Sequence, residues 1–301
     1  MSDVGMGGSG TDDDVPGAGG PAGFAMGPAL LFCPGDRPER FAKAAERADA
    51  VILDLEDAVA PAHKDAARHE VRASTLDPER TIVRVNAVGT PDHAADLAAL
   101  AGTDYRYVMV PKADASLPEL PYAVVALCES AAGVLAAPEL ARRPGVVALM
   151  WGAEDLVASL GGTSSRRSGG QRGPYRDVAQ HARSAVLLAA AAAGKAAIDA
   201  VHLDIPDLDG VRDEAQDAAA VGFSATACIH PSHVPVIRTA YAPAPDAVAR
   251  AAAILAAAQD HDGVFVHDGQ MVDGPVLLHA REVLDRQATA GGRPTNQEVS
   301  T

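Results

Sequence analysis

The 301-residue sequence predicts an α/β protein built on a (β/α)8 TIM barrel, with a small C-terminal helical lid segment and a disordered N-terminal tail. Two observations carry the barrel. From Ala29 onward, short apolar runs rich in β-formers alternate with longer stretches in which Ala, Arg and Glu recur at helical period. Eight such runs begin before about Ala240, and their lack of polar alternation suits parallel strands covered on both faces.

Residues 1–26 hold eight glycines, two prolines and the Asp12–Asp14 triplet. With almost nothing to bury, they read as a tail whose ordering would cost backbone entropy without return. Gly5, Gly7 and Gly10 spell a dinucleotide fingerprint there, but no strand precedes it and no helix follows. Strands are expected from near Ala29, Ala50, Ile82, Tyr107, Ala123, Val146, Ala200 and Phe223, making residues 27–242 a catalytic barrel. The interval after the sixth strand is long. Its Gly161–Arg176 stretch, rich in Gly, Ser and Arg, reads as an insertion on the carboxyl-end face, where barrel loops build sites, and a helix over Asp177–Ala193 follows. Pro243 and Pro245 break any continuing helix. Beyond them, helices are expected over Asp246–Gln259 and Pro275–Ala288, separated by a polar, turn-rich Gly263–Gly274 stretch. Residues 243–290 thus form the lid segment, and 291–301 a frayed tail.

Twenty-five basic against forty acidic residues leave a net charge of −15, which argues against a nucleic-acid partner. Cys33, Cys128 and Cys228 match neither a disulfide framework nor a metal-ligand spacing, so a reducing cytoplasm is the expected home. The longest apolar stretch, Val186–Ala193, is too short to span a bilayer, and Asp3 and Asp12–Asp14 stand where an export signal needs positive charge. No membrane association is expected. No G-x-S-x-G elbow or P-loop occurs, which removes the commonest hydrolase and nucleotide-binding readings.

In a parallel barrel, chemistry sits just past the carboxyl ends of the strands. Glu129 and Asp155, after the fifth and sixth strands, face one bowl where like charges repel unless a cation sits between them. A hard divalent ion, Mg2+ foremost, suits such a pair. The alternative is that each carboxylate caps a following helix. Arg84 lies within a strand and needs an anion, for which Glu56, Asp57 or a substrate carboxylate are the candidates. Lys112 admits a Schiff-base reading beside a salt-bridged one. His230 and His233 look like a metal pair but lack further zinc-type ligands, so capping and turn geometry explain them better. The seventh strand is expected to carry His202 and Asp204.

These residues lie in motifs spread from Leu30 to Ala288: LFCPGDRPERF (Leu31–Phe41), VILDLEDAV (Val51–Val59), VRVN (Val83–Asn86), VPK (Val110–Lys112), ESAAGV (Glu129–Val134), GAEDL (Gly152–Leu156), AIDAVHLDI (Ala197–Ile205) and CIHP (Cys228–Pro231). Together they resemble the citrate lyase beta-subunit-like branch of the HpcH/HpaI aldolase and malyl-CoA lyase family. The resemblance implies that Glu129 and Asp155 bind Mg2+, that Arg84 grips a substrate carboxylate beside Gly152 and Ala153, and that Glu56 assists, directly or through water. It implies that Arg37 and Lys43 meet the phosphates of coenzyme A. It also implies a carbon–carbon lyase that cleaves or forms a β-hydroxyacyl-CoA such as malyl-CoA, citramalyl-CoA or citryl-CoA. The products would be an acyl-CoA and a 2-oxo acid, by retro-Claisen chemistry through a metal-stabilised enolate.

By the same resemblance Asp273, within Gly269–Pro275, is the proton-transfer group, brought by the lid to a neighbouring subunit's site in a homotrimer or hexamer. In one respect the chain departs from the family: Ala225-Thr226 stands where a Gly-Lys pair is usual. Arg166, Arg167, Arg172 and Arg176 could replace the missing cation, or form a solvated loop. A free-acid aldolase, a malyl-CoA thioesterase or malate synthase, and a non-catalytic acyl-CoA-binding subunit are the alternatives.

Overall fold

The computed structural model of the chain describes residues 24–167, 172–261 and 263–291. The Gly5, Gly7 and Gly10 motif lies outside them. Eight strands, β1 (Ala29–Pro34), β2 (Ala50–Asp54), β3 (Thr81–Arg84), β4 (Tyr107–Val110), β5 (Ala123–Cys128), β6 (Val146–Trp151), β7 (Ala196–Asp199) and β8 (Ala225–Cys228), pair in parallel, each with the next. β8 returns to β1, with Ala29 opposite Thr226, and closes the barrel. Around it run α1 (Phe41–Arg47), α2 (Lys64–Ala73), α3 (Pro91–Leu100), α4 (Ala131–Arg142), α5 (Ala153–Ser159), α6 (Asp177–Ala192), α7 (Leu208–Val221) and α8 (His233–Tyr241). This is the predicted (β/α)8 barrel.

Two apolar layers account for the strand composition. Leu30, Ile52, Ile82, Met109, Val125 and Ile198 fill the interior, while Leu53, Val83 and Leu149 point outward into the layer beneath the helices with Leu140 and Val186. Every residue of β2 is therefore buried. Local chemistry sets the helix ends: the Ser130 side chain accepts from the Gly133 N–H at the start of α4, the Asp207 side chain from Gly210 at the start of α7, and Gly222 ends α7 at φ +107°.

The structure corrects several expectations. Phe24 and Met26, assigned to the tail, are buried in the interior cluster with Leu30 and Ile52, because a barrel interior needs apolar filling that strand residues alone do not supply. β7 is the Ala196–Asp199 run, whose two alanines hid its strand character, so His202 and Asp204 lie in the loop beyond it. β8 starts at Ala225 rather than Phe223.

The described chain divides between Pro243 and Ala244 into two compact units. In the second, α9 (Pro245–Ala257) packs on α10 (Gly274–Gly291), joined through an antiparallel hairpin of β9 (Phe265–His267) and β10 (Gln270–Val272). The hairpin occupies the stretch expected to be polar and turn-rich over Gly263–Gly274, with two short strands not expected there. Its signal was Asp268-Gly269, both at positive φ, the dipeptide a two-residue hairpin turn demands. Among the described residues no helix is long and apolar enough to cross a membrane.

Candidate active site

At the carboxyl ends of the strands lies a cavity of ≈ 250 Å³, lined by Arg84, Glu129, Gly152, Ala153 and Asp155 among others. Asp54 and Arg84, the last residues of β2 and β3, are register partners. The Arg84 Nε–H and Nη2 donate to the two Asp54 oxygens at 2.7 and 2.5 Å, and Nη1 lies 3.2 Å from Glu56 Oε2. The sequence pointed to Glu56 or Asp57 as the partner of Arg84. Asp54 is the main one, because the parallel register sets its side chain beside the guanidinium, whereas Asp57 lies past the turn and lines the cavity. Two of the five guanidinium N–H groups donate to Asp54, while Nη1 stands within ion-pair range of Glu56 without a hydrogen bond to it, so the rest of the fork is available to a ligand.

The turn carrying Glu56 is held from both sides. Asp54 accepts the Glu56 and Ala58 N–H groups at 2.9 and 3.0 Å. Lys64, the first residue of α2, donates to the Leu55 and Glu56 carbonyls at 2.9 and 3.0 Å and to Asn86 Oδ1 at 2.6 Å. Sequence reasoning missed Lys64. Its signal was a cation in a first helical turn, where the macrodipole disfavours one.

Glu56 Oε1 accepts from Lys112 Nζ at 2.5 Å. Burial would lower the Lys112 pKa, but the hydrogen bond and charge of Glu56 raise it, so this lysine stays an ammonium and is a poor Schiff-base amine. The salt-bridged reading of Lys112 holds. Its backbone takes the left-handed conformation at φ 52°, which brings its N–H to Glu129 Oε1 at 3.0 Å.

Glu129 follows β5 and is 3% exposed. Burial, then the charges of Asp155 and Glu56, push its carboxyl up to about 8, against opposition from Lys112 and Arg84. Asp155, in the first turn of α5, is half-buried at the rim of the same cavity. Gly152 lets the chain pass close to Glu129, for a Cβ there would stand 3.0 Å from Glu129 Oε2. Neither carboxylate makes a side-chain cap hydrogen bond: Ser130 caps α4, and α5 has no side-chain cap. Two crowded carboxylates in one cavity fit a divalent cation. Among the described residues no group of three or more His, Cys, Asp or Glu side chains is arranged to hold a metal. A cation here would thus have two protein carboxylates and complete its shell with water and ligand oxygens, the habit of Mg2+.

The described part of the Arg-rich insertion is mixed: Arg167, Arg172 and Arg176 are exposed, and Arg166 is not. Arg166 is 4% exposed, lines the cavity and pairs with Glu214 at 2.5 Å. Arg172 pairs with Asp204 at 2.5 Å, and Arg167 with Asp177. Ion pairing with Glu214 accompanies the burial of Arg166, a residue that composition alone assigns to a solvated loop. His230 Nδ1 meets Ser232 Oγ at 2.7 Å in a turn, as the turn reading expected, whereas buried His233 caps nothing and its Nε2 donates to the Ile205 carbonyl at 3.1 Å. Arg37 and Lys43 are exposed, the first just after β1 and the second on α1. In the second unit, the Asp273 carboxylate accepts from the Val276 N–H at 3.2 Å and so caps α10.

Comparison with known proteins places the chain in company. A family model described as HpcH/HpaI aldolase/citrate lyase matches residues 29–117 and 119–231. A citrate lyase subunit beta-like protein of Mycobacterium tuberculosis is 58% identical over 269 residues, 88% of this chain and 97% of that one. A (3S)-malyl-CoA thioesterase of Cereibacter sphaeroides is 32% identical over 274 residues, 85% of this chain and 93% of the relative. The crystal structure of CitE from M. tuberculosis in complex with magnesium, acetoacetate and coenzyme A superposes with a TM-score of 0.83 at 57% identity, covering 88% of this chain and 99% of that one.

Proposed function

The chain belongs to the HpcH/HpaI aldolase/citrate lyase family, and on that premise we propose that it is a magnesium-dependent carbon–carbon lyase acting on a β-hydroxyacyl-CoA thioester. Malyl-CoA, citramalyl-CoA and citryl-CoA are the substrate types, and an acyl-CoA and a 2-oxo acid the products. The observation that carries this reading is the joint placement of Glu129, Asp155 and Arg84 on one cavity, where burial, and after it the charge of Asp155, raises the Glu129 pKa. The M. tuberculosis structure with magnesium, acetoacetate and coenzyme A supports the ligand classes.

Glu129 and Asp155 are the residues that would hold magnesium, which when bound supplies Lewis acidity to the oxygens of an oxo or hydroxy acid, worth several kcal/mol at a developing enolate. Arg84 offers the N–H groups not bound to Asp54 to the acid's carboxylate. Its orientation is pre-set by Asp54 and Glu56, so little side-chain entropy is lost on binding. Gly152 and Ala153 provide backbone at the same wall, and Glu56 links Arg84 to Lys112 and keeps both charged. Cleavage requires a group to take the hydroxyl proton and one to protonate the acyl-CoA carbon. We assign this proton transfer to Asp273, acting in a homo-oligomer, and contact with the coenzyme A phosphates to Arg37 and Lys43. The buried free thiols of Cys33, Cys128 and Cys228 suit a reducing cytoplasm.

Incubating the protein and Mg2+ with a panel of hydroxyacyl-CoA thioesters, and following products by mass, tests the reading. Acyl-CoA and oxo acid in equal amounts, lost with EDTA, is the expected outcome. Free coenzyme A with intact hydroxy acid would instead favour thioester hydrolysis, the activity named for the C. sphaeroides relative. Binding without turnover would make the chain an acyl-CoA-binding subunit.

A further inference from the structure

One wall of the cavity is built from residues that the proposed chemistry does not use. Trp151 closes β6, and its ring meets Tyr175 edge-on at 5.2 Å between centroids. Tyr175 in turn lies under the Arg166 guanidinium, 4.1 Å from its ring centre, and accepts a hydrogen bond from Arg166 Nη2 at 3.0 Å. All three line the cavity. A one-residue bridge pairs Arg166 with Tyr175 in antiparallel fashion, and Arg166 Nη1 also donates to the Gly173 carbonyl at 2.8 Å. The segment between β6 and α6 is therefore folded back on itself around this guanidinium.

Arg166 is buried, and a buried cation needs an anion. That anion comes from another element. Glu214, on α7, reaches Arg166 Nη1 with Oε1 at 2.5 Å and His202 Nδ1 with Oε2 at 3.0 Å. His202 is itself buried, and its Nε2 lies 3.4 Å from Asp207. Glu214 is not among the residues lining the cavity. Among the described residues, its hydrogen bond to the wall comes from Arg166.

We propose that Glu214 is a positioning residue of this cavity: by gripping Arg166 with one oxygen and His202 with the other, it presses the Arg166 guanidinium flat onto Tyr175 and thereby sets the wall against which the oxo acid is held. The proposal rests on the lyase reading for what occupies the cavity. Its physical content is a division of labour. The hydrogen bonds and ion pairs of Arg84 and Glu129 run to Asp54, Glu56 and Lys112 rather than to this assembly, so loosening it alters the fit of the ligand more than the reacting groups. A lysine cannot take the place of Arg166, because a planar guanidinium both stacks on the ring and forks to two acceptors, whereas an ammonium does neither.

The experiment uses the full chain and two readouts. Trp151 is the single tryptophan, so quenching of its fluorescence by pyruvate in the presence of Mg2+ measures binding without turnover, and steady-state kinetics measure KM and kcat separately. Glu214→Gln keeps the shape and removes the charge, and Arg166→Lys keeps the charge and removes the fork. For both, the expected result is a ~10-fold weaker pyruvate dissociation constant and a KM raised to match, a loss of roughly 1.4 kcal/mol, with kcat within about twofold of the parent. A Glu214→Asp variant is expected to recover part of the loss. Unchanged affinity and KM in Glu214→Gln would overturn the proposal, as would a fall in kcat at constant KM. A parent protein that binds pyruvate but cleaves no thioester would sink the lyase reading instead, while the fluorescence titration still decides the role of Glu214.

Discussion

Asp54 and Arg84 face each other across β2 and β3 as register partners and meet in a two-point ion pair at 2.7 and 2.5 Å. Asp54 is fully buried, and the same carboxylate accepts two backbone N–H groups of the turn that carries Glu56. The Arg84 guanidinium and the turn therefore share one anchor. Asp54→Asn is expected to cost about 3 kcal/mol or more in urea unfolding, since it leaves a buried guanidinium without its main counter-charge, and to raise KM for the oxo acid in the condensation direction. Unfolding stability within 1 kcal/mol of the parent would contradict this account of the pair.

Removal of either crowded carboxylate tests the cation site. Glu129→Gln and Asp155→Asn are each expected to abolish Mg2+ binding by calorimetry and turnover with it, because a site with only two protein charges has none to spare. Both variants should fold, and Glu129→Gln should be more stable than the metal-free parent near pH 7, since it removes the proton uptake that folding demands of a carboxyl raised to about 8.

The pH dependence follows from the same group. The Glu129 carboxyl ionises near 4.5 when unfolded and near 8 in the folded, metal-free chain. Between those values the folded state binds more protons, so metal-free stability falls as pH rises through this window. Mg2+ competes with that proton, so its affinity should rise with pH up to about 8 and then level off. Calorimetry in buffers of different ionisation enthalpy would reveal the released proton. An affinity that is flat from pH 5.5 to 8 would refute it.

Gly133, in the first turn of α4, has no room for a side chain: a Cβ would drive into the Ala113 carbonyl and against Ser130 Oγ. Gly133→Ala is expected to destabilise by roughly 1–3 kcal/mol. It should also disturb the loop that carries Lys112 and its N–H to Glu129, giving a weaker Mg2+ affinity.

Asp273→Asn tests the proton-transfer assignment. A fall in kcat of about 10²- to 10⁴-fold is expected. Mg2+ binding should be preserved, and so should α10, because an asparagine oxygen still caps the Val276 N–H. Full activity would leave Asp273 only its capping role.

The barrel was legible because its signals are local. Apolar runs such as Val51–Leu53 and Val83, and capping residues such as Ser130 and Asp207, announce elements from their own neighbourhoods. So were Glu129, Asp155 and Arg84, since polar residues at the ends of buried strands have few structural uses. The AAID strand was misread because alanine carries little β preference and only burial between β6 and β8 makes it a strand.

By itself the sequence determined where the first six strands lie, which polar residues stand at their carboxyl ends, and the family these motifs resemble. Tertiary structure alone decided who meets whom. Asp54 rather than Asp57 holds Arg84 because of a cross-strand register, and Arg166 leaves a seemingly solvated loop because Glu214, 48 residues away, supplies the anion its burial requires. Such pairings join residues far apart in the chain, and electrostatic partners, unlike hydrophobic periodicity, leave no mark on the spacing of neighbouring residues.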